Sequence, residues 1–478
     1  LNQEREKASM KAVRRGTSHG VGLSFVLAIL VLLSVVLFLV FSLGRWEGQA
    51  PVVRFDKDFK FLGRNPSLAL TIEDAGSGLK RFSVALKQKD QVISVAEQEF
   101  PGPSLLSFWR TGDQKSVSIE LGKAVTGKYK IQEGPASLIV RATDYTWRNF
   151  FRGNQTELQR DFVFDIYPPR LEVLSGQHYI NQGGSECVVY RISPDAEVSG
   201  VQAGPHFFPG YPVVASDPNL RFCLFAFSYN IPENSSLKLM ARDAAGNEAV
   251  TGFWYKLLPK KFRSRQILLE DSFLQKAVPE VISHSPAIQD QGELIKTFLE
   301  INGKLRRMNH DQITELSSKS ALHFLWDGAF LQLSNSQVES LFADHRTYLY
   351  QGKEVDRQDH VGFDLSVTQQ YPIEASNDGV VIYADYLGIY GNTVLIDHGC
   401  GLISLYGHLS SIGVKSGQQV KKKDVIGRSG ATGLAGGDHL HFGFFLHGVP
   451  VNPTEWWDGK WIKDHVLDRL KAVAAAKT

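Results

Sequence analysis

Near the end of the chain, the stretch GGDHLHFGFF (436–445) sets His439 and His441 two residues apart, between a glycine-rich run and a string of aromatics. In a β-strand, residues i and i+2 lie on one face, about 7 Å apart along the strand. His439, His441, Gly443 and Phe445 then share one side, and Leu440, Phe442, Phe444 and Leu446 share the other, which reads as core. The stretch DHVGFDLSV (359–367), taken as a single strand, puts His360, Gly362, Asp364 and Ser366 on one face and Val361, Phe363, Leu365 and Val367 on the opposite one. A further imidazole, His408, stands in SLYGHLS beside Gly407 and Leu409. Zinc at a catalytic site usually takes three protein ligands from His, Asp and Glu and keeps a fourth position for water. His360, Asp364 and one of His439 and His441 supply that set, and the remaining histidine and His408 are left for proton transfer. Any one histidine is more often a satisfied structural group than a ligand, so the weight comes from all five groups set beside glycines. His398 and His447 match no second cluster and read as structural.

Groups so far apart in the chain need a folded scaffold to meet. The 478 residues exceed one ordinary core, and their 43% hydrophobic and 21% charged content is that of a folded protein. A formal net charge of +2 gives no sign of the basic face or stripe that a nucleic-acid binder needs, so no nucleic acid is expected as a partner. The run VGLSFVLAILVLLSVVLFLVFSLG (21–44) holds no charge. As a helix it would extend about 36 Å at 1.5 Å per residue, enough for a hydrocarbon layer of roughly 30 Å. It also exceeds the apolar core of a cleavable signal peptide. Arg5, Lys7, Lys11, Arg14 and Arg15 precede it, which places a basic tail (1–20) in the cytoplasm and everything past Arg45 outside it.

From Pro51 to Tyr255 the text is short alternating segments broken by Gly, Pro, Asn and Asp, the pattern of β-sandwiches. It echoes itself: LIVRATDYTWRN (138–149) aligns with LKLMARDAAGNE (237–248), and APVVRF (50–55) with PPRLEV (168–173). Two immunoglobulin-like modules are expected, over 50–167 and 168–256, with no chemistry of their own. Cys187 and Cys223 fall in the second, and an oxidising compartment permits a disulfide between them; Cys400 reads as packing. After a basic, proline-bearing break at LLPKKFRSRQ (257–266), Leu294, Ile295, Phe298, Ile301 and Leu305 recur at helical spacing. A small helical linker is expected over 263–325, packing on its neighbours or covering the catalytic groove. Strand and turn text returns in 330–460, which holds the histidines, and 461–478 reads as a C-terminal tail.

The segment from Val338 to Trp457 resembles the lysostaphin/LytM-type zinc metallopeptidases, which cleave peptide cross-links in bacterial peptidoglycan. The resemblance rests on H-x-x-x-D in HVGFD, Y-x-H-L in YGHL, H-x-H in GDHLHF, and the glycine punctuation of VKSGQQVKKKDVIGRSGATG (414–433). It covers about a quarter of the chain. It implies one zinc ion held by His360, Asp364 and His441, with His408 and His439 as catalytic histidines beside a metal-activated water. Gly443 departs from the polar residue, often Glu, that relatives carry after the H-x-H-F run, which bears on substrate contacts or on support around the metal rather than on the metal itself; Cys400 stands in a turn that is usually polar.

The expected fold is therefore mainly β: an N-terminal transmembrane helix, two tandem immunoglobulin-like sandwiches, a helical linker and a C-terminal antiparallel β metallopeptidase domain. The expected function is a zinc endopeptidase acting on peptidoglycan, single-pass in the cell (inner) membrane with its bulk in the periplasm. Cell-wall protein partners would meet the immunoglobulin-like modules. The alternative is a non-catalytic activator of cell-wall amidases; such relatives lack members of the five-group set, and all five are present here.

Overall fold

The computed structural model describes residues 19–43, 46–63, 66–102, 113–120 and 131–475. The basic residues expected before the apolar run lie outside them. The chain divides into two compact units, 1–167 with 245–247 and 168–244 with 248–478.

In the first unit the apolar run forms helix α1 (His19–Leu43). Its described side chains, residues 24 to 39, are all exposed. Among the described residues no helix is long and apolar enough to cross a membrane, so the span expected over 21–44 receives no support. The rest of the unit is β. A three-stranded sheet (Val52–Phe55, Ser67–Asp74, Asp113–Glu120) accompanies a five-stranded one built on Leu79–Gln88 and Gly134–Asp144. Alternation drives both: Leu70, Ile72, Val84, Leu86, Leu138 and Val140 are fully buried in one core, while their strand neighbours face outward.

The second unit opens with two four-stranded sheets, one centred on the antiparallel pair Ser185–Ile192 and Asp217–Ala226. That pairing sets Cys187 opposite Leu224 and Val188 opposite Cys223. The two cysteines are one step out of register and point to opposite faces, so both are free and buried, and the disulfide that the sequence permits does not form. The core of these sheets runs without a break into the C-terminal β structure through Trp326, Phe330, Phe444 and Trp456. The supposed tail is helical to Ala475 and buries Ile462 and Val466 in the same core.

Beside it, the Glu455 carboxylate accepts from Asn181 Nδ2 (2.8 Å) and Ser185 N (2.7 Å), and burial raises its pKa to about 7. A carboxyl raised in the folded state stabilises fully below its unfolded value, and the contribution is lost as pH climbs through 7. The shift corresponds to about 3 kcal/mol. Melting temperature is expected to fall between pH 5 and pH 8, and Glu455→Gln to flatten that slope; an unchanged slope would refute the assignment.

The linker begins with a strand rather than a helix. Strand β1 (Ser264–Leu269) pairs in parallel with β2 (Asp344–Tyr350), and α2 (Asp271–His284), α3 (Leu294–Glu300) and α4 (Arg306–Ser317) follow or precede in turn along the chain. β2 pairs with β3 (Lys353–His360), completing a three-stranded sheet. The main sheet is antiparallel: Gln337–Ser340, β4 (Phe363–Ser366), β8 (Leu440–Leu446), β7 (Leu402–Leu409), β6 (Asn392–Asp397), β5 (Gly379–Tyr386) and Gln419–Val420, with Val449–Val451 added to β8.

Both faces of this sheet are covered. Leu440, Phe442, Phe444 and Leu446 enter the core shared with the preceding β-module. Phe445, Leu405, Ile403 and Leu395 pack instead with Leu274, Val278, Phe298, Ile301 and Leu305 of the helical segment. That segment is an integral layer of the domain.

Candidate active site

The segment 359–367 is not one strand. β3 ends at His360, the chain breaks at Val361–Gly362, and β4 resumes with Phe363. A side chain at Gly362 would meet Phe442 O at 2.6 Å and His441 Nε2 at 2.7 Å, so only glycine lets the break pass this close to β8. The break still delivers His360 and Asp364 to one point. Register does the rest: Asp364 lies opposite His441 across β4–β8, and His441 lies opposite Gly407 across β8–β7.

His360 Nε2 is 2.9 Å from Asp364 Oδ1 and 3.0 Å from His441 Nδ1, and those last two atoms are 3.0 Å apart. His360 Nδ1 donates to Leu341 O at 2.9 Å, so in the neutral ring Nε2 carries a lone pair. The carboxylate oxygen brings only lone pairs. At most one proton, on His441 Nδ1, serves all three contacts, and acceptors crowded this closely repel unless a cation lies among them. Burial holds the His441 imidazole down to about 4, which keeps it a neutral donor. Burial would raise Asp364, but His360 and the other imidazoles outweigh it and keep the carboxyl well below its usual range. Tetrahedral zinc with bonds of about 2.0–2.2 Å sets its ligand atoms roughly 3.3 Å apart. The N, N, O triangle therefore fits a divalent metal ion.

His439 and His408 stand beside the triangle rather than in it. His439 Nδ1 donates to Gly437 O (2.8 Å), and its Nε2 is 3.5 Å from Asp364 Oδ1. His408 Nδ1 donates to Thr432 O (2.8 Å) and leaves Nε2 as an acceptor. The two rings lie 4.9 Å apart, centroid to centroid. Burial, reinforced by His439 and His441, holds His408 well below its ordinary value. For His439 burial works in the same direction, but the hydrogen bond and charge of Asp364 overcome it and raise the ring. His398 is apart from the cluster, with Nδ1 on Asp378 O and Nε2 on Ser404 Oγ, both at 2.7 Å. His447 stacks on Tyr211.

Arg346, on β2, carries no mark in the sequence. Its Nη2 donates to Asp364 Oδ2 at 2.8 Å, on the side of the carboxylate away from the triangle, and thereby fixes which oxygen faces the metal position. Arg346→Met is expected to weaken metal affinity about 10- to 100-fold, read by chelator competition. Unchanged affinity would remove Arg346 from this role.

A cavity of about 680 Å³ opens over the cluster. Its walls include Arg346, Tyr390 and Asp438 from the β domain, and Leu268, Phe273 and Arg306 from the preceding segment.

Residues 358–453 match the family described as Peptidase family M23. The DD-carboxypeptidase/endopeptidase Mpg of Neisseria meningitidis serogroup B is 43% identical over 95 residues, covering 20% of this chain and 22% of that protein. The peptidoglycan DD-endopeptidase ShyA of Vibrio cholerae is 30% identical over 165 residues, covering 34% of this chain and 35% of that protein. The chain thus matches only about a fifth to a third of these relatives' length. Among solved structures, the catalytic domain of the antimicrobial peptidase lysostaphin from Staphylococcus simulans is similar at 24% identity and a TM-score of 0.24, over 27% of this chain and 98% of that domain. All five clustered groups fall within the matched residues, and the chain carries a LytM-type Peptidase M23 domain.

Proposed function

We propose that the protein is a membrane-anchored, zinc-dependent endopeptidase that hydrolyses peptide cross-links of bacterial peptidoglycan. The observation that carries this reading is the convergence of His360, Asp364 and His441 with two further imidazoles at the floor of one cavity. The names of the relatives supply the substrate class: both act as endopeptidases, and one is named for peptidoglycan. Zinc, when bound, supplies Lewis acidity that acidifies water and polarises the scissile carbonyl.

The chain's own residues supply the rest. Leu341 O and Arg346 fix the orientation of His360 and Asp364. Gly437 O and Thr432 O set the tautomers of His439 and His408, so that each turns Nε2 towards the reacting groups. One of them accepts a proton from the attacking water and returns it to the departing amine. No serine or cysteine nucleophile is needed.

The charge-free run at 21–44 and the basic residues before it support an anchor in the cell membrane, with the remainder outside the cytoplasm. On this reading the β-modules are immunoglobulin-like spacers towards the wall. The alternative, an amidase activator, is disfavoured because the five-group set is complete.

The test is digestion of purified peptidoglycan by the full chain with zinc, with a chelator, and as His441→Ala, with products identified by mass spectrometry. Cross-linked products should fall to monomers only with zinc and intact His441. A folded, zinc-loaded protein that leaves cross-links whole would overturn the reading.

A further inference from the structure

Strand β1 is the edge of its three-stranded sheet. It pairs with β2 on one side only, and no other described backbone group bonds its residues on the far side. In a parallel pair, successive residues turn their N–H and C=O groups alternately towards the partner and away from it. About half the peptide groups of Ser264–Leu269 therefore point outward without a backbone partner.

This edge borders the catalytic cavity. Ile267 lies opposite Tyr348 and Leu268 opposite Leu349, so their side chains leave opposite faces of the sheet. Both residues nevertheless line the same cavity as His360, Asp364 and His441. With Leu269 they place the cavity along the C-terminal half of β1. Leu268 is 71% exposed there, an unusual setting for a leucine beside a buried site. Phe273 and Phe298 line the cavity as well, and Ile267 packs in the same apolar cluster as they do.

We propose that β1 is the docking edge for the peptide arm of the substrate: an extended stem adds as a further strand, and its main-chain groups pair with the outward N–H and C=O groups of 264–269. The proposal rests on the endopeptidase reading and deepens it, since it names the part of the cross-link that is recognised and the element that recognises it. Strand addition of this kind takes its affinity from main-chain hydrogen bonds and its selectivity from pockets for alternate side chains. Six residues at about 3.3 Å each give roughly 20 Å of edge, room for a stem of four or five residues. The arrangement also explains why the segment before the catalytic sheet opens with a strand. Arg346, on the adjacent β2, ties that sheet to Asp364, so a peptide held on β1 is registered against the metal position through one intervening strand.

The experiment is hydrogen exchange on the full-length, zinc-loaded His439→Ala protein, with and without purified cross-linked muropeptide dimer, binding being followed in the same titration. Alternate amides within 264–269 should slow at least tenfold at saturation, while those of β5 and β6 stay unchanged. In parallel, wild-type protein is given synthetic cross-linked peptides N-methylated one bond at a time. KM should rise at least tenfold at alternate positions of the arm with kcat held. Dimer that binds and is cut, with exchange in 264–269 unaltered and no alternation in KM, overturns the docking edge and leaves the peptidase intact. Dimer that the zinc-loaded protein neither binds nor cuts overturns both.

Discussion

His441→Ala is expected to abolish metal binding and peptidoglycan cleavage together, while His439→Ala keeps the metal and loses activity by about 10²- to 10⁴-fold. The difference follows from where each ring points. His441 Nδ1 completes a triangle of about 3 Å sides with His360 Nε2 and Asp364 Oδ1. Removing it leaves two donors, too few for a catalytic zinc site. His439 Nε2 is half an ångström farther from the same carboxylate oxygen, and its other nitrogen is spent on Gly437 O. It is placed to exchange a proton with a molecule in the cavity. Metal content by mass spectrometry, measured alongside digestion of cross-linked muropeptides, checks both halves. Equal metal loss in the two variants would overturn the division of roles.

Deletion of 265–320 is expected to yield unfolded or insoluble protein with no activity. The segment lines the catalytic cavity, which would suit a removable cover. Its burial argues otherwise. Phe445, Leu405, Ile403 and Leu395 are fully buried in the core it shares with the catalytic sheet. Uncovering large side chains costs about 1.5–3 kcal/mol each. Four of them alone would consume much of the 5–15 kcal/mol that holds a typical domain together. The deletion also strips the partner from one side of β2, which carries Arg346. Thermal melts and solubility decide the point: a soluble, cooperatively folding deletion with raised activity would show that the segment is a cover after all.

Much of the site was legible in local pattern. The two-residue period put His439 and His441 on one side of a strand, and both do approach the same oxygen of Asp364. The same period assigned Leu440, Phe442, Phe444 and Leu446 to one core. It failed at Phe445, which was placed on the open side with the histidines but is buried under the helical segment. Alternation reports that a side chain leaves one face of a strand; it does not report what later covers that face.

The four-residue spacing of His360 and Asp364 survived a wrong local structure, since a strand break at a glycine brings the two groups together as surely as the expected unbroken strand. Residue types and their spacing were enough to suggest metal ligation, because it draws on a short list of donors. They left open which histidine of the pair is a ligand. They concealed Arg346 and the carbonyls of Leu341, Thr432 and Gly437, and they allowed a disulfide that one step of register forbids. Each of these depends on which strands lie side by side and in what register. Strand order and register are settled by the burial of whole faces across segments distant in the chain, and no window of neighbouring residues contains that information.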